Sequence, residues 1–140
     1  MKRLSLVILL TLTSPAMAAP FNVTEAWFRA LPGNLPAGGY FEGQNTTKND
    51  IAILGAQSDG CSTVMIHKSS NSGGLNKMEM VDQVQVAAGG RVSFAPGGYH
   101  LMCIRPTSLM KIGGKVPVVL HLSDGTRVAA AFAVRGASGK

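Results

Sequence analysis

From residue 21 onward, apolar and polar residues alternate or collect into short apolar runs, and no stretch sustains the three-to-four-residue spacing of an amphipathic helix. Alternation with period two sends successive side chains to opposite faces of a strand. Repeated short strands separated by turn residues are the pattern of an all-β sandwich or barrel. The pattern predicts strands over 21–29, 39–45, 51–56, 62–68, 78–86, 91–95, 99–105, 116–122 and 126–134. Pro32-Gly33-Asn34, Ser72-Gly73-Gly74, Gly89-Gly90, Pro96-Gly97-Gly98, Gly113-Gly114 and Asp124-Gly125 punctuate them, supplying the backbone angles that turns need. Asp124-Gly125 between two apolar runs predicts a tight hairpin. The expected architecture is a single β-sandwich domain of about nine strands.

The first eighteen residues depart from this pattern. Lys2 and Arg3 precede an apolar stretch over 4–12, and Ala16-Met17-Ala18 offers a small-x-small cleavage site, so 1–18 reads as a secretory signal peptide. The apolar stretch falls short of the roughly 20 residues that span a bilayer. Residues 19–140 are then the exported domain, expected in the periplasm. The formal net charge is +6, part of it in Lys2 and Arg3, and the other positive residues are scattered singly along the chain. A nucleic-acid surface needs a clustered basic stripe, so the charge fits solubility and steering toward an acidic partner. Cys61 and Cys103 are the two cysteines. Export makes a disulfide between them a natural expectation, although Cys103 directly follows a candidate ligand and a thiolate role stands beside it. Asn45-Thr46-Thr47 matches a glycosylation sequon.

The chemistry lies in histidine and methionine. His100 and Met102 are two apart in a predicted strand and leave the same face, with Cβ atoms about 7 Å apart. Pro96-Gly97-Gly98 sets this pair at the start of its strand. His67 ends another strand before the polar loop 69–76, and Met78 follows that loop, so all four are expected to gather at strand ends. Imidazole with thioether sulfur suits copper(I) far better than zinc, calcium or magnesium. Structural zinc wants cysteine and histidine at closer spacing, and Asp59, Glu79, Asp82 and Asp124 are too dispersed for a hard ion. A second reading stays open on composition alone, with the methionines as core filler and the histidines as satisfied polar groups. Met65 and Met80 share strand parity with His67 and Met78 and are expected to pack in the core, with substitute ligation as the alternative. His121, inside an apolar run, reads as structural, and Trp27 as a core or rim aromatic. No nucleophile–base–orienter set is visible, so an enzyme is not expected.

His67, Met78, His100 and Met102 are separated by ten, twenty-one and one residues. This resembles the His-x10-Met-x21-His-x-Met signature of the periplasmic copper chaperone family PCu(A)C. Ala26-Trp27-Phe28-Arg29, the stretch from Tyr40 to Asn45, and Pro96-Gly97-Gly98-Tyr99-His100-Leu101-Met102 are similar to further blocks of that family, so the resemblance spans most of the exported chain. It implies a cupredoxin-like sandwich binding copper(I) at the four matched positions. It also implies a role in passing copper toward the dinuclear centre of cytochrome c oxidase, directly to its copper subunit or alongside Sco-type thioredoxin-like proteins, or in general periplasmic copper handling. Two other readings remain: a blue-copper electron carrier using Cys103, whose order after His100 and Met102 runs against it, and a structural sandwich without metal.

Overall fold

The computed structural model describes residues 12–15 and 19–140, so most of the expected signal peptide lies outside the described residues. Ten strands occur in them: β1 Phe21–Arg29, β2 Ala37–Asn45, β3 Ile51–Gln57, β4 Cys61–Ser72, β5 Leu75–Met80, β6 Val84–Val86, β7 Arg91–Phe94, β8 Tyr99–Pro106, β9 Lys115–Leu122 and β10 Arg127–Arg135. Hydrogen bonding links them in the order β5-β4-β8-β7-β2-β1-β10-β9-β3-β6, with β8 also paired to β2. The β1–β10 and β7–β8 pairs are parallel and the others antiparallel. The fold is the all-β, cupredoxin-like sandwich.

Inward side chains from nine strands meet in one core. Phe41 stacks on Phe94 with centroids 4.4 Å apart, while Phe132 lies 5.2 Å from Phe28 and 5.9 Å from Phe41. Strand β5 supplies nothing to this core; all six of its residues are exposed. It is a terminal strand, attached only through β4.

Strand β1 shows how the sequence resolves a conflict of parity. Phe21 and Phe28 are seven apart, which in a regular strand would put them on opposite faces, yet both are buried. A bulge settles this. The β1–β2 register shifts between Thr24 and Trp27, and Glu25 adopts φ 52°. The extra residue flips the alternation, so Phe28 turns inward while Trp27 and Arg29 turn outward.

Two expectations need correction. The segment 78–86 is not one strand: it breaks after Met80, where the chain leaves β4 and crosses to pair β6 with β3 at the far end of the order. The polar segment 69–76 is not a loop either, because β4 continues to Ser72 and β5 begins at Leu75. Gly73 and Gly74, at φ 62° and 80°, make the two-residue turn that matches strand twist.

Candidate metal centre

The Gly73-Gly74 turn pairs Ser72 with Leu75 and thereby fixes every rung of the β4–β5 hairpin. His67 stands opposite Met80 on β5 and opposite His100 on β8. Met65 stands opposite Met102, and Met78 opposite Ser69. Residues in register share a face, as do residues two apart. His67, His100, Met65, Met78, Met80 and Met102 therefore project from one face of β5-β4-β8, on three successive rungs.

The four residues predicted from the sequence thus share a face, with the two histidines in direct register. Their ring centroids are 5.6 Å apart at an interplanar angle of 76°, within reach of one ion at about 2.0 Å from a nitrogen of each ring. His100 is buried, with Nδ1 3.4 Å from the Gly98 carbonyl oxygen. A tautomer that donates there leaves the Nε2 lone pair for a ligand. Burial is the main cause that lowers the His100 pKa below the ordinary imidazole value; the Gly98 carbonyl opposes it and His67 adds to it. Nδ1 of His67 is buried with no hydrogen-bond partner among the described residues. A buried unpaired nitrogen costs free energy unless something occupies its lone pair or proton.

Carboxylates stay away. Among the described residues no three His, Cys, Asp or Glu side chains cluster in a way that holds a metal. The donors this face offers are two imidazoles and uncharged sulfur.

Met65 and Met80 are not core residues, contrary to the expectation from the sequence: they are 37% and 67% exposed, on the histidine face. Their parity was visible in the sequence, but the facing of Met80 and His67 depends on the length of the turn at Gly73-Gly74. Tyr40 borders the site as well, its ring 6.4 Å from His100 and 4.8 Å from Trp27. A Cβ on Gly38, the residue opposite Met102, would stand 2.6 Å from the Tyr40 hydroxyl oxygen, so glycine makes room for this ring. Arg29 lies 5.6 Å from the ring centroids of both Trp27 and Tyr40, and its register partner Arg135 lies 4.7 Å from that of Trp27.

His121 takes no part; it lies on β9, which is bonded to neither β4 nor β8. Cys61 and Cys103 form a disulfide with Cα atoms 5.4 Å apart. Cys103 is buried in the core, and alternation along β8 turns it away from His100 and Met102. This overturns the thiolate role and the blue-copper reading with it.

The family model described as "Putative lipoprotein LpqE-like" matches residues 21–134. The chain belongs to the LpqE-like family. A lipoprotein family is extracytoplasmic in character, which agrees with the disulfide. A Leifsonia xyli subsp. xyli protein, "Putative lipoprotein Lxx21020", is 29% identical over 119 residues, spanning 84% of this chain and 71% of its own length. Among solved structures, "Copper-bound PCuAC domain from PmoF2" aligns with TM-score 0.71 and 20% identity over 86% of this chain and 97% of its own. "Solution structure of CuI-DR1885 from Deinococcus Radiodurans" aligns with TM-score 0.68 and 26% identity over 86% and 81%. The LpqE-like chain thus shares its fold with a PCuAC domain, the family its four-residue spacing resembles.

Proposed function

We propose that this LpqE-like domain carries one copper(I) ion on the β5-β4-β8 face, held by His67, Met78, His100 and Met102, and passes it to another copper protein. The observation that carries the reading is the direct register of His67 and His100, with thioethers on the neighbouring rungs. Neutral imidazole and thioether donors match the soft monovalent ion and offer nothing to a hard divalent one. The names of two structural neighbours, one copper-bound and one a copper(I) form, support the same cargo.

Carrying rather than catalysis follows from access. Met78 is 57% exposed, so an incoming thiolate or thioether can replace one ligand at a time while the histidines still hold the ion. Delivery toward the dinuclear copper centre of cytochrome c oxidase, to its copper subunit or by way of a Sco-type protein, is the destination that the PCu(A)C resemblance implies. The setting is the periplasm, with 1–18 as the export signal. Competition against a copper(I) chelator tests the cargo: His100→Ala with Met102→Ala should weaken binding by more than about tenfold, and unchanged affinity rejects the assignment. Copper-edge X-ray absorption of the loaded protein should report mixed nitrogen and sulfur ligation. For the destination, loaded protein is mixed with the soluble copper domain of the oxidase or with a Sco-type protein. Copper that stays behind in both mixtures leaves a general periplasmic buffer as the better description.

A further inference from the structure

Resting on the copper(I) reading, we infer that Met65 and Met80 are relay ligands: surplus thioethers through which the ion passes between the histidine pair and an acceptor arriving at the β5 edge. Two imidazoles leave two positions on a four-coordinate ion, and this face presents four methionines for them. The sequence spacing chooses Met78 and Met102. The register instead places Met80 directly across from His67 and Met65 directly across from Met102, so neither surplus methionine is farther from the histidine rung than a spacing-matched one.

Exposure gives the arrangement a direction. His100 is 4% exposed, Met65 37%, Met78 57% and Met80 67%, a gradient running from β8 outward to β5. Among the described residues strand β5 has no neighbour on its outer side, and none of its own residues lies in the core, so its methionines can shift without disturbing the packed domain. An acceptor's sulfur meets Met80 and Met78 first. Each step along the face then swaps one neutral thioether for another, with no proton to move and no change in charge. The last handover to an acceptor thiolate changes the charge of the complex but leaves copper(I) at the same oxidation state. Lys77 and Glu79 alternate with these methionines and face the other way, so no charged β5 side chain obstructs the path.

The test uses the whole protein with methionine methyl groups labelled with 13C, titrated with copper(I) alone. Met110, which lines a cavity with Ala30 and with Pro106 at the opposite end of β8 from His100, is the internal reference. One equivalent should move the methyl signals of Met65, Met78, Met80 and Met102 and leave Met110 in place. Met65→Leu with Met80→Leu keeps volume and apolar character at exposed positions. That variant should hold copper(I) within about threefold of the parent affinity yet release it to a competing thiolate chelator about tenfold more slowly. Signals that move only at Met78 and Met102, or a variant that releases copper as fast as the parent, overturn the relay and leave the carrier intact. No movement at any methyl overturns both.

Discussion

His100 and Asn45 are the two buried polar side chains among the described residues, and each answers for its burial differently. The imidazole of His100 pays in basicity: burial lowers its pKa below the ordinary value near 6.5. A depressed histidine favours the neutral native form, so its contribution to stability is present above the unfolded value and is lost as pH falls through the folded one. In an NMR titration of the apo protein the His100 midpoint should therefore lie below that of a free imidazole, and apo stability should decline across the same window. A midpoint at or above the ordinary value would contradict the buried placement. Asn45 instead shares its amide hydrogens among the carbonyls of Asn49, Val86 and Ala87, at 2.7, 3.1 and 3.2 Å, while its Oδ1 accepts from the backbone and hydroxyl of Thr47. A glycan on the Asn45 nitrogen is incompatible with these bonds and with the residue's full burial. Asn45→Ala would strand several carbonyls and should cost about 3 kcal/mol in a urea unfolding experiment. A loss of a few tenths would mean that water replaces the amide.

Strand β5 is the element most decoupled from the rest. It has one hydrogen-bonded neighbour and no buried side chain, so its local opening should need far less free energy than global unfolding. Amide exchange followed by mass spectrometry should find β5 the fastest-exchanging strand of the apo protein, and copper(I) should slow it, since a bound ion ties Met78 to β4 and β8. Protection in β5 equal to that of β9 would argue against this. The same strand shows where reading the sequence reached its limit. Strands β1, β8 and β9 were legible almost to the residue because alternation and glycine turns bound them. The break at Val81-Asp82-Gln83 was not, since no glycine or proline marks it and its cause is a crossing between two distant pairings. The β1 bulge escaped for a related reason: Glu25 is an ordinary residue in a left-handed conformation, and only the joint burial of Phe21 and Phe28 requires it. On the β5-β4-β8 face, the shared facing of His100 and Met102 was legible by parity, whereas the exposure of Met65 and Met80 was not, and which methionine faces which histidine depends on pairing register.

At the scale of the molecule, one pair of strands carries both the covalent clamp and the histidine pair of the candidate centre. The disulfide joins Cys61 at the start of β4 to Cys103 on β8, closing a loop across 42 positions, and the same two strands hold His67 and His100. Cys103 is wholly buried in the core, and alternation along β8 turns it away from His100 and Met102. A loop of this size should contribute about 4 kcal/mol by restricting the unfolded chain, a large share of the roughly 5–15 kcal/mol typical of whole domains. Cys61→Ala with Cys103→Ala should therefore lower unfolding free energy by about 2–4 kcal/mol. The β4–β8 register extends from Cys61 to Lys68 through backbone pairing, so the histidines should stay opposed once the bond is gone. Copper(I) affinity measured where the variant is still folded should then stay within about threefold of the parent, a difference of well under 1 kcal/mol. Tenfold weaker binding in a folded variant would mean that the clamp sets the geometry of the histidine pair, and that reducing agents act on the cargo as well as on the fold.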